Sequence, residues 1–183
     1  YQAECKIRIA ARQPMATIEG AQITWYGSGG NEINSEIELI SNKDEILNAV
    51  VDILNNKDKS RFVTSPDYSE YYTETEINYI KGIKFNAQDA EYVKALSAPS
   101  LRGSIQIEPI PTSDIIVIRA TGSYPDVIKA IANVVAMAYR ADFWRCKTQD
   151  ARATKLFVKE QLDTIKGELE KDKEKLEKAS TDS

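Results

Sequence analysis

The sequence predicts an α+β fold in which a mixed β-sheet is packed with helices and is followed by a long C-terminal α-helix. Residues 1–10 alternate between apolar and polar side chains, which indicates a half-buried strand. Two further strand patterns, 101–111 and 113–123, precede an alanine-rich amphipathic helix and a highly charged helical segment. We therefore expect an α+β domain over residues 1–147 and an extended helical rod over residues 148–180.

The first strand places Tyr1, Ala3, Cys5, Ile7 and Ile9 on one face. Because a strand occupies the first residue and that residue is not Met, we expect an upstream element and read the chain as a piece of a longer protein. The longest apolar runs are far shorter than the ~20 residues of a membrane span.

Residues 11–34 carry weaker signals. Residues 17–26 could form a second extended segment, which Gly20 weakens. Residues 27–30 are glycine-rich, but no Gly-Lys-Ser or Gly-Lys-Thr follows them, as a phosphate-binding loop requires. We therefore interpret this segment as a flexible linker.

Two sequences resemble capping boxes, the hydrogen-bonded motif of helix N-termini. They begin at Ser35 and Ser41 and end at Glu38 and Asp44. The second precedes an apolar stripe with helical spacing, formed by Ile46, Leu47, Val50, Val51 and Leu54. The pattern predicts one helix start at each motif and a helix over 44–55 that ends in the polar segment 55–60.

Residues 56–100 have no clear organisation and could be an insertion. Four tyrosines, Tyr68, Tyr71, Tyr72 and Tyr79, lie among glutamates there. Packing and surface roles explain them better than phosphorylation, because they adjoin predicted secondary structure. The sequence pattern of residues 86–96 predicts a second short helix, which ends before Pro99.

The strand patterns near residue 110 are clearer. Ile105 and Ile107 alternate with polar residues, while residues 115–118 are a continuous β-branched run that suits a central strand covered on both faces. Pro125 and Asp126 then favour a helix start. That helix has an apolar face formed by Val127, Ile128, Ile131, Val134, Val135 and Ala138.

The rod is predicted over 148–179, a length of about 45–50 Å. A heptad pattern runs along it, with one polar gap, through Val158, Leu162, Ile165, Leu169 and Leu176. We call these five residues the seam. Between Lys166 and Lys178 ten of thirteen residues are charged, so the segment needs water or another helix around it. The seam could pack on a neighbouring subunit or on the domain's own helices, or the rod could be one exposed, fraying helix.

Composition excludes several function classes. The net charge is −4, and no basic run is interleaved with aromatic residues, which argues against nucleic acid as a partner. The chain has no histidine, so serine- or cysteine-histidine catalysis and histidine zinc sites are excluded. The two cysteines, Cys5 and Cys146, could pair once, although we expect Cys5 to be a small core residue. We predict no catalytic, cofactor or metal site.

In their order along the chain, several segments resemble the outward-facing domain of bacterial polysaccharide co-polymerases, the Wzz chain-length-determinant family. The similar segments include Tyr1 and Ala3 before a strand, residues 36–47, Leu101 to Pro109, residues 113–118, 130–139 and 157–162. The resemblance covers most of residues 1–10, 33–55 and 101–180, whereas residues 56–100 lie outside it.

The resemblance implies a membrane-protein ectodomain on the periplasmic or outer face of the bacterial inner membrane. Its mixed sheet would lie close to the membrane and its long helix would project outward. Such proteins form homo-oligomeric rings that set the chain length of O-antigen, capsule or exopolysaccharide, together with a membrane-embedded polymerase acting on lipid-linked glycan. The domain itself would do no bond chemistry and would need no cofactor. Some relatives carry a cytoplasmic tyrosine kinase, but no P-loop is present here.

Two alternatives come from other classes. An extracytoplasmic sensor domain would bind a ligand and relay a signal through its C-terminal helix. A hydrolase would need a pair of carboxylates, but the spacing of the 28 acidic residues singles out no pair.

Overall fold

A computed structural model describes residues 1–8, 29–111, 113 and 115–181. The proposed extended segment 17–26, Ile9 and the first half of the predicted linker lie outside the described residues. The chain divides into two compact units, which we call unit 1 (Tyr1–Asp142) and unit 2 (Phe143–Ser183). Among the described residues, no helix is both long enough and apolar enough to cross a membrane.

The described elements are three strands, eight α-helices and a 3₁₀ turn at Lys57–Lys59. In chain order they are β1 (Gln2–Arg8), α1 (Gly29–Asn42), α2 (Asp44–Asn56), α3 (Arg61–Thr64), α4 (Pro66–Ser69), α5 (Glu74–Gly82), α6 (Ala87–Lys94), α7 (Ala98–Ser104), β2 (Ile105–Pro109), β3 (Ile115–Thr121) and α8 (Pro125–Thr181). The α+β prediction is confirmed.

The strands form one sheet in the order β1-β3-β2. Both pairings are antiparallel, with Cys5 and Ile107 each opposite Ile118. The prediction of a mixed sheet was therefore wrong. Only a short connection separates β2 from β3, and parallel neighbours would need a crossover of a dozen or more residues.

Strand β3 is central, as predicted, but only one face of it lies in the core. Ile116, Ile118 and Ala120 are fully buried in the main apolar cluster of unit 1. On the other face Val117 is buried, whereas Arg119 is half-buried among exposed side chains of β1 and β2. The prediction of cover on both faces therefore holds at Val117 but not at Arg119, because an antiparallel sheet can leave part of one face to water.

The exposed face of the sheet is held by an ion-pair cluster. Arg119 Nε donates to Glu4 Oε1 at 2.7 Å, and Arg119 Nη1 donates to Glu108 Oε2 on the opposite strand. The Arg119 hydrogen bond lowers the pKa of Glu4, partly opposed by desolvation. Cross-strand pairs of opposite charge favour this register of the sheet.

The first two helices agree only in part with the predictions made from the sequence. Helix α1 begins at Gly29, so Ser35 lies inside it instead of capping it, and Gly29 and Gly30 are helical instead of linker. Helix α2 confirms the predicted 44–55 helix within one residue. Its N-cap is Lys43, not Ser41, because the backbone leaves the helical conformation only at Lys43, where ψ is 102°. Of the predicted stripe, all but Val51 is buried.

Residues 61–104 form five short helices that contribute to the same core. The residues that these helices and the connections between them place in the core are Phe62, Val63, Tyr72, Ile80, Val93, Leu96, Ala98 and Leu101. The predicted helix at 86–96 is confirmed as α6, and its N-cap Asn86 accepts a hydrogen bond from the Asp89 amide at 2.8 Å. The four tyrosines all pack in or against the core. Whether the segment is an insertion stays a prediction.

The predicted strand from Leu101 starts four residues later than expected. Residues 101–104 belong to α7, which Ser97 opens with a capping box to Ser100. Pro99 lies in the first turn, where its missing N–H is not needed. The capping box therefore favours a helix over residues 98–104, and the strand begins only at Ile105.

Helix α8 begins at Pro125, and its predicted apolar face is buried at all six positions. The preceding Gly122 allows close approach, because a Cβ there would lie 2.6 Å from Ile128 Cδ1. Late in unit 1, Arg140 Nε donates to Glu76 Oε1 at 2.8 Å and Arg140 Nη2 to the Tyr71 carbonyl at 2.7 Å. These bonds attach α8 to the segment 71–76.

We predict that Ile118→Ala destabilises the chain by about 2–5 kcal/mol, because it leaves a cavity in the buried face of β3. The matched control is Ile115→Ala on the same strand, which should cost less because Ile115 is half-buried and points away from the core. Denaturant titration measures both. Equal losses would contradict this assignment of faces.

A second prediction concerns pH. Replacing Arg119 with Gln should raise the pKa of Glu4 towards its ordinary value, as measured by NMR titration of its carboxyl carbon. A lowered pKa stabilises the fold above the ordinary glutamate range, and this contribution is lost as pH falls through the lowered value. Acidification should therefore destabilise the wild type more than Arg119→Gln. Arg102→Gln, which removes a pair with Asp44, is the control and should leave Glu4 unchanged.

Candidate assembly surface

The five seam residues all lie in the part of α8 that belongs to unit 2, and all are exposed. Their exposed fractions are 48% for Val158, 51% for Leu162, 58% for Ile165, 68% for Leu169 and 72% for Leu176. Earlier in the same helix, Ile131, Val134 and Val135 are fully buried. Helix α8 thus changes from a buried apolar stripe to an exposed one.

The heptad positions of the seam are regular. Leu162, Leu169 and Leu176 take position a, and Val158 and Ile165 take position d. Asp172 occupies the next d position and is the polar gap. The residues form one apolar ridge because a and d positions share a face of the helix.

The structure extends this face toward the N-terminus, which the sequence reading missed. Trp144 is 50% exposed and takes position d two heptads before Val158. Its ring lies 5.9 Å from that of Phe143, and Lys147 Nζ lies 4.5 Å from the Phe143 ring centroid. The signal was the fourteen-residue interval between Trp144 and Val158, which the polar residues between them obscured.

A second apolar patch was also missed. Leu156 and Phe157 are 60% and 61% exposed, and they lie on the side of the helix opposite the seam. We call this pair the rear patch. Around residues 156–158 the helix is therefore apolar on more than one face, which a heptad search does not register.

In unit 1, the shifted pKa values of two side chains have structural causes. Burial raises the pKa of Cys5, which packs against the core and forms no disulfide. Burial, with Glu76 nearby, raises the pKa of Tyr72. Within the part of the chain that the structure describes, no three acidic or cysteine side chains are grouped as metal ligands would be.

One small cleft lies in unit 1. Its volume is about 20 Å³, and its lining is mainly apolar: Ile40, Ser41, Leu47, Arg102, Ile105, Ile107 and Val135. Such a volume holds about one water molecule. This cleft is therefore too small for an organic ligand.

Searches of protein-family models, curated proteins and solved structures found no match to this chain. The resemblance to the polysaccharide co-polymerases thus stays a prediction from the residues that carry it.

We predict that Leu162→Ala together with Ile165→Ala changes the unfolding free energy of the dilute chain by less than about 1 kcal/mol, because both side chains are exposed. Ile131→Ala, in the buried part of the same helix, should cost about 2–5 kcal/mol. Denaturant titration at low protein concentration compares them. A large loss for the seam pair would show that the seam packs within its own chain.

Proposed function

We propose that this chain is the ectodomain of a bacterial polysaccharide co-polymerase, on the periplasmic or outer face of the inner membrane. It acts without enzymatic chemistry, by assembling with copies of itself to regulate the chain length or export of a surface polysaccharide. Its partners are a membrane-embedded polymerase and its lipid-linked glycan, and it reaches the membrane through segments outside this chain. The order of similar segments along the sequence supports the family assignment.

The exposed seam is the observation that carries the assembly part of this proposal. Five large apolar side chains at heptad spacing lie at least 48% exposed along one helix. Such a ridge is typical of a helix that packs against another helix, because the knobs at a and d fill holes on a facing helix. An exposed continuous apolar surface marks an interaction site more often than a free surface.

Assembly can regulate chain length without a catalytic group. Parallel rods from neighbouring subunits would enclose a fixed geometry next to the polymerase, and that geometry would determine when a growing glycan is released. This mechanism requires rigid contacts that repeat between subunits, and it requires no positioned acids, bases or metals in the domain. The cleft described in unit 1 gives the sensor alternative no support, because it is small and mainly apolar.

The proposal is tested by replacing two central seam residues with lysine, Leu162→Lys and Ile165→Lys, in the full-length protein in its own cells. Buried like charges should prevent rod packing. We expect the detergent-solubilised homo-oligomer to dissociate and the polysaccharide to lose its preferred length on size-separating gels. The matched control, Leu162→Met with Ile165→Leu, keeps the seam apolar and should preserve both properties.

Two outcomes would contradict the proposed function. One is a polysaccharide length distribution that stays unchanged after the oligomer has dissociated. The other is a monomeric wild-type protein of full length in detergent.

A further inference from the structure

The N-terminal part of unit 2 is positively charged. Residues 143–159 contain five basic residues and one acidic residue, a net charge of +4, whereas the net charge of the whole chain is −4. Residues 160–178 contain five basic and seven acidic residues, a net charge of −2. The positive charge of this helix is therefore concentrated in residues 143–159, which we call the basic band.

Four of the five basic residues of the band lie on one face of helix α8. Together with a threonine they follow one another at intervals of three and four residues, which places them along one side of a helix for about 21 Å. We call these residues the basic face: Arg145, Thr148, Arg152, Lys155 and Lys159. Asp150, the acidic residue of the band, lies on the opposite side. No two of these basic residues are adjacent in the sequence, so the face forms only in the helix.

The two lysines of the basic face are exposed. Among the residues that the structure describes, neither Lys155 nor Lys159 has an ion-pair partner. Arg145 and Arg152 already interact with other groups, so they add positive charge while direct contacts with a ligand fall to the lysines. Like charges four residues apart on a helix are destabilising, and a bound anion would relieve this repulsion.

Exposed apolar side chains adjoin the basic face at both ends. Trp144 is 50% exposed and lies one turn before Thr148. Leu156 is 60% exposed and lies between Arg152 and Lys159, four residues after the first and three before the second. The face therefore combines positive charge with apolar contact surface.

We propose that the basic face binds an acidic polysaccharide, a chain of sugars that carries carboxylate groups at intervals. The ammonium groups of Lys155 and Lys159 pair with carboxylates. Trp144 and Leu156 give the C–H groups of sugar rings an apolar surface on which to pack. The choice of a glycan rests on the proposed function, to which this site adds the chemical class of the polysaccharide.

The basic face is distinct from the seam. In the two heptads before Leu162 the residues at position a are Thr148 and Lys155, both of which are polar. A lysine at position a lowers the stability of helix packing. This level of the helix is therefore less suited than the seam to packing against another rod, and Lys155 stays accessible to a ligand.

Two other anionic partners fit the face less well. A helix that lies on a membrane surface has an apolar face along its length, but residues 145–155 contain no large apolar side chain. Single-stranded nucleic acid is held by aromatic side chains that stack on successive bases. In helix α8 only Trp144 among the aromatic residues adjoins the basic face. An acidic polysaccharide requires neither feature.

Titration of the full-length protein in detergent with polygalacturonate tests the site, with dextran as the uncharged polysaccharide. We expect binding to polygalacturonate that weakens as salt is added, because salt screens exposed charges, and no binding to dextran. The variant Lys155→Glu with Lys159→Glu should bind polygalacturonate about tenfold more weakly, or weaker still, because attraction at both lysines becomes repulsion.

The matched control is Lys171→Glu with Lys175→Glu. These lysines are exposed on the same helix at the same spacing and lie outside the basic band, so the net charge changes equally. This variant should bind polygalacturonate like the wild type, as should Lys155→Arg with Lys159→Arg, which keeps the charge. Oligomer size is measured in the same samples. If the double glutamate variant dissociates, Lys159→Glu alone, which lies outside positions a and d, decides and should bind severalfold more weakly.

Four results would overturn the inference. The first is no binding of polygalacturonate, and the second is equal binding of dextran. The third is an equal loss of binding in the Lys171→Glu, Lys175→Glu control, which would show a general effect of charge. The fourth is tighter binding through Lys155 and Lys159 to vesicles containing phosphatidylglycerol or to oligodeoxythymidylate, which would make the ligand a membrane or a nucleic acid.

The proposed function is tested separately by the seam variants. If the variants of Lys155 and Lys159 lose binding but the seam variants leave polysaccharide length unchanged, the polysaccharide site stands and the proposed function fails. If the seam variants alter polysaccharide length but the lysine variants bind polygalacturonate normally, the inference alone fails.

Discussion

The apolar stripe of α8 is the constraint on which the rest of the structure depends. Burying apolar side chains away from water is favourable, so the apolar stripe of a helix packs against other elements where these are present. In unit 1 the sheet and the short helices form a common core with Ile131 and Val134. In unit 2 the stripe continues from Val158 to Leu176 without such cover among the described residues. One helix therefore supplies both the centre of a folded domain and an exposed surface suited to a partner.

In unit 1 one face of the sheet contributes to the core that covers this stripe. The buried residues of β3 join the core, while Arg119 on the other face is paired across the sheet with Glu4 and Glu108. The strand β1 pairs with β3 over more than a hundred residues of intervening chain. The N-terminal strand and α8 are thereby parts of one cooperative unit, so that the first residues of unit 1 help to fix its last helix.

The sequence predicted the elements whose signals are periodic and local. The alternation in β1, the stripe of α2 and the face of α8 follow from burial on one side, and all were found. The starts of α1 and β2 were misplaced, because Ser35 and Leu101 carry local patterns that are compatible with more than one conformation. The antiparallel direction of β1 depends on contacts distant in sequence, which no local pattern encodes. On the rod the seam was predictable from heptads, whereas Leu156 and Phe157 were not, because they break that period.

Amide hydrogen exchange across residues 143–181, measured at low and high protein concentration in the full-length protein, tests the central claim most directly. An unsupported helix with exposed seam residues opens readily, whereas a rod covered by a neighbour opens only when the assembly does. We predict that protection in this segment rises with concentration and that protection of the core of unit 1 does not. Protection that is the same at all concentrations would contradict the claim that the seam is an assembly surface.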